Sequence, residues 1–299
     1  MDKLQGFLNI NKPQGPTSFD IIRKLKKVFP RKTKLGHLGT LDPMAQGVLP
    51  AAIGQATKII PYIEDEYKEY VTTMVLGGNS DTQDAWGNIT LGPPPVNVDL
   101  KCVEQVMNTF QGNIKQIPPM FSAVHHEGQR LYDLARQGIT VERAERDARI
   151  EAMDLVNSDF SLEYPQITFR VICSRGTYIR TLCHDIGEKL GTGAFMSALL
   201  RSRVGAFCIE DAVLLDDILD GRIALEECML PMDYPLYKMM AVEVKPEQQI
   251  AVLHGNPLIL DQTMPTGKIK IYSAQQELLA IANSEPQDSR TLIKPVRVF

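Results

Sequence analysis

GHLGTLDPMAQGVLP, residues 36–50, packs three glycines and two prolines into fifteen positions around a single carboxylate, Asp42. Glycine permits positive φ and close backbone approach. Pro43 biases Asp42 towards extended geometry. An Asp-Pro pair in a loop ordinarily reads as a turn former whose carboxylate binds nearby backbone N–H groups. A loop this stiff is also a way to present one carboxylate. Just upstream lies RKLKKVFPRKTK, residues 23–34, with seven basic residues and no acid.

The chain around this loop has 299 residues, 44% hydrophobic and 23% charged, which fits a soluble globular protein of one large domain, or one large and one small. Its formal net charge of -4 argues weakly against nucleic acid, but the distribution is polarised. A second basic region runs from Arg130 to Arg149, while acids collect in IEDAVLLDDILD, residues 209–220. Cys102, Cys173, Cys183, Cys208 and Cys228 are scattered and never spaced as CxxC. That pattern reads as reduced thiols of a cytoplasmic protein, not as a disulfide frame or zinc site. The N-terminus has no apolar h-region and no apolar run reaches 18 residues, so neither secretion nor membrane spanning is expected.

Mixed helix and strand patterns predict an α+β fold. TSFDIIRKLKKVF opens with a capping box, Thr17 and Asp20, and places Phe19, Ile22, Leu25 and Phe29 at helical spacing. DLKCVEQVMNTFQG reads as a helix from Asp99 to a stop at Gly112, and YIRTLCHDIGEKLG as one ending at Gly191. YVTTMVLGG and QITFRVICSRG read as strands, the second with Ile167, Phe169, Val171 and Cys173 on one face. A boundary is expected within the proline-marked stretch 231–245. Beyond it, IAVLHGNPLIL, KIKIYS, ELLAIAN and TLIKPVRVF read as short strands of a small β-barrel or sandwich.

Familiar chemical motifs are missing. There is no GxxxxGK[ST] loop and no GxSxG elbow, and GTGAF at 191–195 has Met196 where a third glycine belongs. His125 and His126 are adjacent and lack the spacing of a zinc pair. Chemistry without metal or cofactor is therefore expected.

GHLGTLDPMAQGVLP resembles the catalytic loop of the TruB type of pseudouridine synthase, which modifies uridine 55 in the TΨC arm of tRNA. LNINKPQGPTS, ATKIIPYI, KEYVTTMVLGGNSDTQDAWG, IPPMFSAVHHEGQRLYDLARQG, SRGTYIRTLCHDIGEKLG and GAFMSALLRSRVGAF match in family order, and LIKPVRVF resembles the end of a PUA module. The resemblance covers nearly the whole chain. It implies a mainly antiparallel mixed sheet flanked by helices with its site in a central cleft, residues 1–236, and a PUA-like RNA-binding β-barrel, residues 237–299. It implies a cytoplasmic monomer whose partner is the TΨC stem-loop of tRNA, with no membrane and no obligate protein partner.

The reaction breaks an N–C glycosidic bond and re-forms it as C–C, so it needs no redox step. By the resemblance Asp42 is a nucleophile that bonds transiently to the base or to the sugar. Arg180 is the arginine paired with it, which favours the ionised carboxylate. Tyr70 lies against the target base and takes a proton from carbon or sugar; Tyr178 is a second site tyrosine; Leu199 lies under the uracil; Lys58 stands near the active loop. His37 fills the gap left by a nucleotide swung out of its stack. Arg23, Lys24, Lys27, Arg31 and Lys32 suit RNA phosphates, and Arg130 and Arg136 belong to a loop that clamps RNA. Taken singly, each has an ordinary structural reading: a solvated arginine, a core-edge tyrosine, a core leucine, a surface lysine, a packed histidine.

Two departures concern RNA contacts. Phe121 and His125 stand where the family often has tyrosine and lysine, and Leu200 and Arg201 where paired arginines are common. Two other functions are open to such a chain: a non-catalytic RNA-binding or tRNA-folding protein on the same scaffold, and a synthase acting on ribosomal RNA.

Overall fold

A computed structural model of the chain describes residues 4–63 and 67–299. The first half contributes β1 (Gly6–Lys12), α1 (Ser18–Leu25), β2 (Leu35–His37), β3 (Gln46–Ile53) and β4 (Lys68–Leu76). Then come α2 (Leu100–Asn108), β5 (Gly112–Gln116), α3 (Leu131–Arg136), β6 (Arg146–Asp159), β7 (Gln166–Cys173), α4 (Ile179–Leu190) and β8 (Ala194–Val204). Among these strands the main sheet runs β1-β3-β8-β4-β7-β6-β5, antiparallel except where β8 meets β3, and residues 213–214 add a short parallel edge beside β1.

That parallel join divides the sheet into two halves with separate cores. Leu8, Ile10, Leu49, Ala51 and Ile53 pack under α1, whereas Met74, Ile167, Phe169, Val171 and Met196 pack under α2 and α4. Alternation along β7 buries Ile167, Phe169, Val171 and Cys173 on one face, as the sequence predicts. At the join, Gly47 faces Arg201. Gly47 has φ +105, and a Cβ there would lie 2.2 Å from the Arg201 carbonyl oxygen, so only glycine lets the halves close.

The capping box at Thr17 and Asp20 is present. Of the predicted stripe, Ile22, Leu25 and Phe29 are buried with Ser18 and Ile21, whereas Phe19 is 69% exposed. Two hydrogen bonds from Ser18 to the Leu41 backbone turn that face inward, and Phe19 lies about 100° further round. Helix α2 is capped at Thr109; Gly112 instead opens β5 with φ +88. Helix α4 ends at Gly191 in the left-handed conformation, as expected.

The C-terminal segment forms β9 (Met240–Glu243), α5 (Pro246–Leu253), β10 (Leu258–Leu260), β11 (Gly267–Tyr272), β12 (Leu278–Gln287) and β13 (Arg290–Val298), in sheet order β9-β11-β12-β13-β10. No pairing among the described residues joins β9 to β10, so the sheet is a curled half-barrel and not the closed barrel expected. Of IAVLHGNPLIL, the last three residues are the strand β10 as expected, but the first four end α5, because Pro246 sits in the first turn and the Lys245 N–H donates to Gln248 Oε1 at 3.0 Å. The half-barrel is seated on the main sheet. Leu278, Ile281 and Phe299 pack with Phe7, Leu38, Val48 and Phe207, and the Tyr272 hydroxyl donates to Asp233. Among the described residues no helix is long and apolar enough to cross a membrane.

Candidate active site

The loop carrying Asp42 crosses from β2 to β3 at the junction of the two half-sheets. It is gripped from below by two buried cations. Lys12 Nζ donates to the carbonyls of Pro13 (2.9 Å), Pro43 (3.3 Å) and Ala45 (2.7 Å). Arg201 donates through Nε to Val48 O (2.7 Å), through Nη1 to Thr40 O (3.2 Å) and through Nη2 to Gly39 O (3.2 Å). Ser18 Oγ donates to Leu41 O at 2.9 Å and accepts from Leu41 N at 2.8 Å. Carbonyl acceptors satisfy donors that burial would otherwise leave unpaired. Burial pulls the Lys12 ammonium down to about 8; the Asp42 charge opposes this and Arg201 adds to it.

Asp42 keeps about a third of its side chain open to solvent, and its Oδ2 stands 2.9 Å from Arg180 Nε. Arg180 is itself 5% exposed and fixed on every side. Its Nη1 donates to Thr82 O at 3.0 Å and lies 3.5 Å from Asp84 Oδ2, and its Nη2 donates to Phe121 O at 2.8 Å. Asp84 is buried and accepts from Thr82 Oγ1 (2.8 Å) and Trp86 N (3.0 Å). The guanidinium therefore bridges two carboxylates and cannot swing away from Asp42 without leaving Asp84 unpaired.

Above this pair is a cavity of about 260 Å³, lined by Asp42, Tyr70, Tyr178, Arg180 and Leu199 among others. Tyr70 comes from β4, and burial pushes its hydroxyl up to about 12, with the Arg201 charge pulling the other way. Tyr178 is set by Gln116 at the end of β5: its N–H donates to Gln116 Oε1 (3.0 Å) and its carbonyl accepts from Nε2 (3.2 Å). Lys68 and Arg175 also line the cavity.

Five of the seven residues expected at the chemical site thus share one cavity. His37 and Lys58 do not line it. His37 is half-buried on β2, and burial, with Arg201 next, lowers its pKa. Lys58 is exposed at the end of a 3₁₀ turn, residues 54–58. Arg23, Lys24, Lys27, Arg31 and Lys32 are all exposed, and Arg23 is paired with Asp20 at 2.6 Å. Arg130 and Arg136 flank the Tyr132 ring, 5.8 and 5.4 Å from its centroid. Lys12, Asp84, Gln116 and Arg201 were not anticipated. Each is a polar side chain at or beside an apolar run, which by pattern reads as solvent-facing.

A larger cavity, about 440 Å³, lies between the main sheet and the half-barrel beside Tyr62, Arg203 and Lys238, and none of the residues placed in the smaller cavity lines it. The nucleophile candidate is confined to the smaller one. Among the described residues no three His, Cys, Asp or Glu side chains converge as metal ligands.

Residues 26–179 match the N-terminal domain of the TruB family of pseudouridylate synthases. This chain belongs to the TruB family. Residues 180–237 match the tRNA pseudouridylate synthase B C-terminal domain. The tRNA pseudouridine synthase B of Syntrophomonas wolfei is 53% identical over 296 residues, spanning 99% of both chains. That of Heliobacterium modesticaldum is 39% identical over 298 residues, 99% of this chain and 96% of its own. Among solved structures, an H/ACA RNP bound to a substrate RNA containing 2′-deoxyuridine is similar, with TM-score 0.73 and 27% identity over 98% of this chain and 84% of that one. The TruB assignment makes the chain an enzyme, an isomerase of uridine.

Proposed function

We propose that this TruB protein converts uridine 55 in the TΨC loop of tRNA to pseudouridine, with Asp42 as nucleophile acting on an extruded nucleotide. The observation that carries this reading is the Asp42–Arg180 pair, 2.9 Å apart, at the wall of a cavity that also holds Tyr70, Tyr178 and Leu199. Swinging the nucleotide out costs a few kcal/mol of stacking. Tyr70 and Leu199 offer the base an aromatic and an apolar surface in return, and His37 fills the gap in the RNA. The Asp42 carboxylate bonds to the nucleotide, the N1–C1′ bond breaks, the uracil turns, C5 bonds to C1′, and the bond to Asp42 breaks to return the carboxylate. C5 loses a proton and N1 gains one, so the product is an isomer of the substrate. Tyr70 takes up a proton on the way.

In the same reading residues 1–236 form the catalytic domain and 237–299 a PUA-like module that contacts RNA. Lys58 and the exposed basic residues on α1 and α3 meet phosphates. The enzyme acts in the cytoplasm as a monomer and also assists tRNA folding. The test is Asp42→Asn with unmodified tRNA and site-by-site mapping of pseudouridine. Product is expected to vanish while tRNA binding stays within about threefold. Full turnover by the variant would overturn the nucleophile, and wild-type product at another uridine would overturn the site. If Asp42→Asn does not accelerate tRNA refolding, the folding role falls.

A further inference from the structure

We infer that Arg201 is a positioning residue for the isomerisation, one buried guanidinium that grips the Asp42 loop from the strand position opposite Tyr70 and so holds the carboxylate in fixed relation to the phenol under the nucleotide. The inference rests on the roles of Asp42 and Tyr70 proposed above.

Three observations carry it. First, Arg201 is directly opposite Tyr70 across the β4–β8 pair and opposite Gly47 across the β3–β8 pair. Side chains opposite one another on neighbouring strands share a face, with Cβ atoms about 5 Å apart. Second, its three backbone acceptors bracket the nucleophile: Gly39 and Thr40 precede Asp42, and Val48 follows it. Moving the guanidinium would free both ends of the loop together. Third, Arg201 is fully buried yet pairs with no carboxylate among the described residues, unlike Arg180. A buried cation without a counter-ion is costly, and an apolar side chain would pack this strand at lower cost.

The same guanidinium lies beside the phenol. Guanidinium has five N–H donors and no acceptor. Three of its donors go to carbonyls of the Asp42 loop, and Tyr70 is its neighbour across the strand pair. When a proton moves from carbon to Tyr70, the phenol has first released its own proton to solvent, matching the one that N1 later takes up, and the phenolate is the acceptor. The C–H electron pair stays on the nucleotide and the proton ends on Oη. The neighbouring cation stabilises that phenolate, and of the influences on Tyr70 it is the largest that opposes burial.

The test uses the full-length enzyme with unmodified tRNA and compares Arg201→Gln and Arg201→Lys, each with and without Tyr70→Phe. Readouts are single-turnover rate from pH 6 to 10, tRNA affinity and thermal unfolding. For Arg201→Gln the rate at pH 7 is expected to fall about 10²-fold, the size seen on losing one pre-aimed donor, with affinity within threefold. Its rate should climb to higher pH than wild type, because Tyr70 then ionises later. Added to Tyr70→Phe, the same change should cost less than tenfold. Should Arg201→Gln fail to fold, Arg201→Lys decides. It keeps the charge but cannot span three carbonyls, and should lose rate about tenfold without a shift in pH profile. Wild-type rates in a folded variant overturn the inference. So does a loss that is parallel at every pH and fully additive with Tyr70→Phe. Failure of the underlying reading is seen separately, as activity retained by Asp42→Asn.

Discussion

Two sets of cations in this enzyme stand in opposite surroundings. Lys12, Arg180 and Arg201 are buried around the loop that bears Asp42, and their donors are taken up by named carbonyls and carboxylates. Lys24, Lys27, Arg31 and Lys32 lie exposed on α1 and the turn that follows it. Position in the sequence does not separate the sets, since Lys12 and Lys24 are twelve residues apart. Burial separates them. A buried cation fixed on all sides sets the position of neighbouring atoms, so its removal should appear in rate or stability. An exposed cation attracts phosphate through screened charge, so its removal should appear in affinity and salt dependence.

The largest effect is expected at Arg180. Arg180→Met would strand Asp42 and Asp84 in the same pocket without their shared cation, and leave the Thr82 and Phe121 carbonyls unpaired. Breaking such a pair costs about 3–5 kcal/mol. The single-turnover rate should fall at least 10³-fold, and the melting temperature should drop. A variant within tenfold of wild type would show that the bridge is not needed. Next in size is Lys12. Its folded-state pKa, about 8, is below the unfolded value of 10.5. Between those values the unfolded chain binds the extra proton, so this group's contribution makes the protein more stable as pH rises from 8 to 10.5. Below pH 8 both states are charged and the burial penalty is at its full value. In Lys12→Met that rise should be missing from denaturant unfolding followed between pH 7 and 10.5. An unchanged slope would place the titration elsewhere.

The contrast also marks how much could be read from the chain alone. The capping box at Thr17, the stripe of β7 and the glycine end of α4 depend on neighbours within one element, and sequence pattern carries them. Asp42, Tyr70, Tyr178, Arg180 and Leu199 are legible through motif resemblance, and they converge on one cavity. Lys12 and Arg201 are not. Their partners lie 31 to 33 and 153 to 162 residues away along the chain for all but one bond, and nothing in NINKP or ALLRSR announces a loop crossing above. IAVLHG reads as a strand and folds as a helix, because a short apolar run suits either and Pro246 decides it. Pattern turns Phe19 inward, whereas a serine, not an aromatic, makes the inward bond to Leu41.

The smallest effects are expected on the exposed face, and they test the comparison from its other side. Reversing Lys24 and Lys27 to glutamate should weaken tRNA binding several-fold at low salt. It should also lower the slope of log affinity against log salt by about 0.7–0.9 for each phosphate no longer neutralised. Single-turnover rate at saturating enzyme should not change. Arg23→Ala should do less than either, below twofold, although Arg23 sits on the same helix. Its guanidinium is already 2.6 Å from Asp20, so much of its field is neutralised before any phosphate arrives. Equal losses for Arg23→Ala and Lys27→Ala would mean that the Asp20 pair opens when RNA binds. A fall in rate without a fall in affinity, for any exposed residue, would show that the basic face reaches into the positioning of Asp42.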